Sequence, residues 1–252
     1  MSTILDTRAG ARPSIANPGR FAGIADRAVP ILGAMTLATF AVGLYLALWA
    51  SPEDYQQGST VRIMYVHVPA AWLALFAYLV MTSAALGTLV WRHPLADVAA
   101  KAAAPLGAAF TFAALASGSV WGKPMWGAWW VWDSRLTSML ILLFIYLGLI
   151  ALWRAVDEPA RAARITAIAT LIGFVNIPII KFSVDWWNTL HQGASVLRLD
   201  GPSIHSSMLV PLLVMASAFM LLFATLHLAA MRTDLMRRRA RSLRLRAAEA
   251  AA

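Results

Sequence analysis

The run from His205 to Met231, HSSMLVPLLVMASAFMLLFATLHLAAM, holds twenty-seven residues with no Asp, Glu, Lys or Arg. About 20 mostly apolar residues are enough for a helix to cross the ~30 Å hydrocarbon layer of a bilayer. The run therefore reads as a membrane span. Directly behind it comes RTDLMRRRARSLRLR, Arg232–Arg246, in which seven of fifteen residues are arginine. A span closed by a basic cluster has its last residues on the cytoplasmic side.

Working outward from this segment, five more stretches meet the same length requirement: Val29–Ala50, Pro69–Val90, Ala102–Val120, Leu136–Trp153 and Ile165–Val184. The expected fold class is an all-α integral membrane protein. It has six transmembrane helices and a Trp-rich interfacial loop or helix on the outer face. Residues 1–28 form a polar cytoplasmic segment, 29–231 one membrane domain containing the loop 121–138, and 232–252 a basic cytoplasmic tail. The N-terminus lacks a short apolar run ending in a small-residue cleavage site, so Val29–Ala50 is read as a retained anchor. Asn176 and Pro178 fall inside the fifth stretch and predict a local break there.

Composition agrees. Of 252 residues, 60% are hydrophobic and 13% charged, against about 25% charged in a soluble domain. With no cysteine, a disulfide scaffold, thiolate-bound zinc, iron–sulfur clusters and thioether-linked haem are all excluded. The net charge of +9 resembles a nucleic-acid footprint, but its distribution argues otherwise. Six spans put both termini on one side, where sixteen Lys and Arg (Arg8 and Arg12 among them) face seven acids. The other side has five cations (Arg62, Lys123, Arg135, Lys181 and Arg198) and five acids. The entire excess lies on the cytoplasmic face, where a basic tail anchors topology against anionic lipid. Nucleic acid is not an expected partner.

The neutral outer face carries the unusual chemistry. Between the third and fourth stretches the chain reads WGKPMWGAWWVWDSRLTS, Trp121–Ser138, with five of the eleven tryptophans inside twelve residues. An interfacial aromatic belt explains one or two Trp per helix end, such as Trp49, Trp91 and Trp153, but not five in one loop. Trp126, Trp129, Trp130 and Asp133 are spaced i, i+3, i+4 and i+7, one face of a short helix. With Trp121 and Trp132 this predicts a flat indole shelf, suited to a large planar apolar ligand. Asp133 precedes an apolar run and also reads as a helix N-cap.

Three histidines share that face: His67 at the outer end of the second span, His191 in the third outer loop behind Trp186 and Trp187, and His205 opening the sixth span. A single interfacial histidine is most often a polar anchor. None of these pairs has the i, i+3 or i, i+4 spacing of a helical metal site. Two imidazoles from separate segments, facing one another across a planar macrocycle, would make a bis-histidine haem site. His67 and His191 are the expected pair, with His205 in reserve. Haem propionates call for a cation, and Arg135 is the expected contact; Arg62 and Arg198 read as interfacial snorkelling.

The run WGxxxWGxWWxWDxRLTS at Trp121–Ser138 resembles the tryptophan-rich WWD signature of the haem-handling family of cytochrome c biogenesis, which includes CcmC, CcmF and CcsA-type proteins. Six spans in about 250 residues are similar to the CcmC branch, as are MYVHVPAAW at Met64–Trp72 and NIPIIKFSVDWWNTLHQ at Asn176–Gln192. The resemblance covers nearly the whole chain between the first and sixth spans. It implies a bacterial inner-membrane protein with its WWD loop in the periplasm, both termini in the cytoplasm, and haem b held without a covalent bond. The axial ligands of the family map onto His67 and His191. The resemblance also implies delivery of haem to the chaperone CcmE, in one complex with CcmA, CcmB and CcmD.

Two other classes compete. A membrane b-type cytochrome would also pair histidines, but usually within its spans, and no His lies at mid-depth here. A permease would be expected to place ionisable groups inside the bundle, where Asn176 is the one strongly polar side chain. No nucleophile–base pair suggests an enzyme.

Overall fold

The computed structural model describes residues 17–193, 195, 196 and 198–251; Arg8 and Arg12 lie outside the described residues. Its elements are α1 (Pro18–Tyr45), continued by one π-helical turn over Leu46–Ala50, a 3-10 turn over Ser59–Ile63, α2 (Met64–Leu89), α3 (Ala96–Trp126), α4 (Ser134–Ala155), α5 (Pro159–Gly173), α6 (Asn176–Trp186) and α7 (Ser206–Ala251). Among the described residues, six helical rods are long and apolar enough to span a membrane, α5 and α6 together forming the fifth. The all-α, six-span membrane architecture expected from the sequence is thus present.

The helices overrun the apolar stretches. Helix α1 starts eleven residues before Val29 because Asn17 caps it. The Asn17 Oδ1 accepts from the Gly19 and Arg20 amides at 2.8 and 3.3 Å, and Pro18 pre-sets the first helical φ. Helix α7 does not stop at Met231 but continues through the basic tail. Residues 18–28 and 232–251 thus continue the helices of the first and last spans. The break expected near Asn176 is real: the chain turns at Phe174–Val175 between α5 and α6. Asn176, buried, donates from Nδ2 to the Ser138 carbonyl of α4 at 2.9 Å.

Packing depends on small residues. The widest helix contact is α2 on α3, followed by α1 on α7. Buried along α2 are Ala70, Ala74 and Ala77, and along α3 Ala103, Ala104, Gly107 and Ala108, small residues that let helix backbones approach closely. Two tyrosines then tie four helices together. Tyr146 of α4 lies against Gly107, where a Cβ would fall 2.2 Å from its ring, and its hydroxyl donates to the Ala74 carbonyl at 2.7 Å. Tyr78 of α2 lies against Gly173 and donates to the Thr170 carbonyl at 3.0 Å. The two rings meet edge-on, 5.4 Å apart. Outward-facing Leu37, Ile31, Phe112, Phe144 and Ile172 are exposed, an arrangement that only a lipid surrounding makes favourable.

The two ends differ. At the arginine-bearing end, Arg238 bridges Asp97 of α3 at 2.6 Å and Asp234 at 2.7 Å, while Lys101 reaches Asp234 at 3.0 Å and Arg232 pairs with Asp26. The tryptophan-bearing end holds the 51–63 segment, the 127–133 loop and the 187–205 loop.

Candidate functional site

His67 is fixed one turn into α2. Its Nδ1 lies 3.0 Å from the Ala114 carbonyl and 3.2 Å from Ser117 Oγ on α3. A carbonyl only accepts, and the Ser117 hydroxyl already donates to the Ala113 carbonyl at 2.6 Å. Nδ1 must therefore carry the proton, which leaves Nε2 with its lone pair. The close approach depends on Gly118, where a Cβ would come within 2.9 Å of the imidazole Cε1. The Trp121 ring stands edge-on to His67 with centroids 5.7 Å apart, and Trp121 Nε1 donates to Gln57 Oε1 at 3.0 Å.

His191 is built the same way from different parts. Its Nδ1 donates to Asp133 Oδ2 at 2.9 Å, so its Nε2 too is left unprotonated. Trp126 packs edge-on at 4.9 Å. The other Asp133 oxygen, Oδ1, accepts from the Leu136 amide at 2.7 Å and caps α4. Burial works to raise the Asp133 pKa, but the Leu136 N–H and His191 together hold it below the usual carboxylate value. Burial lowers that of His191, and Asp133 only partly offsets it. At neutral pH the pair is thus a neutral imidazole donating to a carboxylate rather than an ion pair.

The structure brings the expected histidines to one end of the bundle, each against an indole near the end of α3, His67 against Trp121 and His191 against Trp126. Arg135 donates from Nε to Ser183 Oγ at 3.1 Å and from a terminal nitrogen to the Lys181 carbonyl at 3.4 Å, joining α4 to the end of α6. His205 takes another role. It is exposed and caps α7, its Nδ1 accepting from the Ser207 amide at 3.3 Å.

The short helix expected across Trp126, Trp129, Trp130 and Asp133 does not form. Helix α3 ends at Trp126 because Gly127 adopts a left-handed conformation, φ 75°, and returns its N–H to the Lys123 carbonyl at 3.0 Å. The chain then runs irregularly to Asp133, held by Ser119 Oγ donating to the Trp129 carbonyl at 2.7 Å. The indoles consequently separate. Trp121 and Trp126 flank the histidines, Trp130 and Trp132 meet edge-on at 5.4 Å, and Trp129 and Trp132 are exposed. Asp133, expected on the same face as these indoles, is buried. The Trp130 Nε1, also buried, has no hydrogen-bond partner among the described residues. Phe182 stacks on Trp186 at 5.4 Å, and Trp186 meets Trp187 at 5.7 Å, adding an exposed aromatic edge.

Several supporting groups were not foreseen: the Ala114 carbonyl, Ser117, Gly118, Gln57 and the Asp133–His191 hydrogen bond. A glycine three residues before Trp121 and an acid on the same face as a histidine were the only signals for them.

The fold and site define a polytopic α-helical membrane protein in which two histidines and a tryptophan-rich loop converge at one membrane face. Residues 12–246 match the family model described as CcmC, Heme exporter protein C, and the chain belongs to that family. Heme exporter protein C of Bradyrhizobium diazoefficiens is 65% identical over 231 residues, 92% of this chain and 88% of that one. The Escherichia coli K12 protein of the same name is 49% identical over 218 residues, covering 86% and 88%. A Marchantia polymorpha protein, named as a candidate ccmC-like mitochondrial protein of cytochrome c biosynthesis, is 50% identical over 182 residues, covering 72% and 77%.

Proposed function

We propose that this protein binds haem b non-covalently between His67 and His191 and presents it for c-type cytochrome assembly. The observation that carries this reading is the shared construction of the two histidines. Each comes from a different segment, has Nδ1 tied off and an indole at its edge, and keeps Nε2 available. Two imidazoles suit an iron that brings four equatorial nitrogens of its own. Trp121 and Trp126 would border the macrocycle. Trp129, Trp130 and Trp132 would extend over it, the unpartnered Trp130 N–H offering a donor, and Arg135 would place a cation near the propionates.

The names of the relatives, heme exporter protein C, support this cargo. In this reading the tryptophan-bearing end faces the periplasm, the protein sits in the inner membrane, and the arginine-bearing end with both termini is cytoplasmic, as the distribution of charge favours. The exposed Trp129 and Trp132 are the docking surface for the haem chaperone CcmE, with CcmA, CcmB and CcmD completing the membrane complex. The protein holds and hands on the haem and does not catalyse its attachment.

The test is replacement of His67 or His191 by Gly in the purified full-length protein, read by the Soret band with and without imidazole. Each variant is expected to lose the six-coordinate low-spin spectrum and regain it with imidazole. Wild-type spectra in both variants would rule out the ligand assignment. For docking, exchanging Trp129 and Trp132 for Ala is expected to reduce co-purification with CcmE. Unchanged recovery would reject that surface.

A further inference from the structure

The two histidines are alike in placement but not in what stands behind them. His67 gives its Nδ1 proton to a neutral peptide carbonyl at 3.0 Å, shared with a serine hydroxyl at 3.2 Å. His191 gives its proton to a carboxylate oxygen at 2.9 Å. A hydrogen bond to an anion is roughly twice as strong as one between neutral groups, and a carboxylate behind a ligating imidazole raises its basicity. The carboxylate is also held firmly: Asp133 side-chain exposure is 5%, and its second oxygen is fixed by the Leu136 amide at 2.7 Å. Asp133 therefore cannot turn away from His191 without uncapping α4.

The surroundings differ in the same sense. His67 sits on the regular backbone of α2, clamped against α3 through Gly118. His191 sits on an irregular loop that the Asp133 contact anchors, together with the Thr189 hydroxyl accepting the His191 amide at 2.8 Å. One ligand is rigid with a weak backing; the other is on a loop with a strong one.

We propose that Asp133 is a positioning residue that makes His191 the stronger haem ligand, so that haem is released first from His67 and last from His191. This rests on the bis-histidine reading above. A donor with partial imidazolate character stabilises ferric over ferrous iron, so the same contact also lowers the midpoint potential of the bound haem. Hand-over would then open on the His67 side, where a ligand from an acceptor can enter while His191 still holds the iron.

The decisive variant is Asp133→Asn. Its single carbonyl oxygen can still accept the Leu136 amide, which keeps the cap, while an NH2 group replaces the carboxylate oxygen facing His191, so both the charge and the acceptor behind the imidazole are removed. Potentiometric titration of the haem-loaded full-length protein should show the midpoint raised by about tenfold in the ferric-to-ferrous ratio, which is ~59 mV for one electron. A midpoint within twofold of wild type, about 18 mV on the same scale, overturns the proposal.

A second measurement leaves Asp133 untouched. Ferrous haem in His67→Gly keeps only His191, and in His191→Gly only His67. The iron–histidine stretch in resonance Raman should lie higher in His67→Gly, and should fall when Asp133→Asn is added. Equal frequencies in the two glycine variants would refute the asymmetry while leaving the ligand pair intact. Failure of wild-type protein to give a low-spin haem spectrum would instead refute the pair itself, and the asymmetry with it.

Discussion

Gly107→Ala places a methyl group where no space exists. Its Cβ would stand 2.2 Å from Tyr146 Cζ and 2.3 Å from both Cε1 and the hydroxyl oxygen. These are ring atoms of a fully buried side chain, not the end of a flexible one. The Tyr146 ring must move, or α3 and α4 must separate. Overpacking of this kind costs about 1–3 kcal/mol. Displacing the ring also breaks the 2.7 Å hydrogen bond to the Ala74 carbonyl. A buried hydroxyl left without a partner adds about 1–3 kcal/mol. The expected destabilisation is therefore about 2–6 kcal/mol, since the movement that relieves the clash is the one that breaks the bond. Reversible unfolding in mixed detergent–SDS micelles, followed by far-UV circular dichroism, measures it. Tyr146→Phe alone should cost about 1 kcal/mol, the net worth of the hydrogen bond. Combining Gly107→Ala with Tyr146→Leu should recover part of the loss, with a coupling energy of about 1–3 kcal/mol. If Gly107→Ala falls within about 0.5 kcal/mol of wild type, or the double variant is additive, the close approach of α3 and α4 at this point is wrong.

Other perturbations have narrower expectations. His191 has its pKa lowered by burial from an ordinary 6.5, so the unfolded chain takes up a proton before the folded one does. Stability carried by this group is complete above pH 6.5 and falls as pH drops through the lower folded value; Asp133, also held below its ordinary 3.8, extends the decline to stronger acid. Unfolding at stepped pH from 7.5 to 4.5 should show a loss that His191→Gln abolishes in its upper part, and a flat wild-type profile would contradict the burial of the ring. Asn176→Ala removes the 2.9 Å bond to the Ser138 carbonyl and should cost about 0.6 kcal/mol, the average for hydrogen bonds between membrane helices, and no more than about 1.7. Arg238→Ala should cost under about 1 kcal/mol and less still in high salt, because its partners Asp97 and Asp234 lie at a wet surface; a larger, salt-independent loss would mean that the arginine end is a buried network.

How much of this was legible in the sequence divides by the kind of physics involved. The six spans were, because the length of an apolar run is set by the bilayer and needs no knowledge of neighbours. Their true ends were not. Helix α7 runs past Met231 on residues that hydropathy scores as tail, since Arg and Leu are both good helix formers whatever lies around them. That His67 and His191 stand at one end of the bundle was legible from the order of the spans. The conformation of the loop between them was misread: spacing at i, i+3, i+4 and i+7 suggested a helix, but Gly127 follows directly after Trp126 and takes the left-handed turn that ends α3. That glycine was the available signal, and it outweighs tryptophan periodicity. The Asp133–His191 bond joins residues 58 positions apart, and nothing local in either segment records it.

The length of α7 has a mechanical side. From Pro211 to its end the helix measures about 60 Å at 1.5 Å per residue, one uninterrupted strut from near the tryptophan face to well beyond the arginine face. It is clasped near Arg232 and Arg238 by ion pairs to α1 and α3. A strut of that length pivoting about its middle moves each tip by roughly 0.5 Å for every degree of tilt. A tilt imposed at the arginine end therefore reaches the tryptophan end, where the loop that follows His191 enters α7, as sideways travel of about half an ångström per degree.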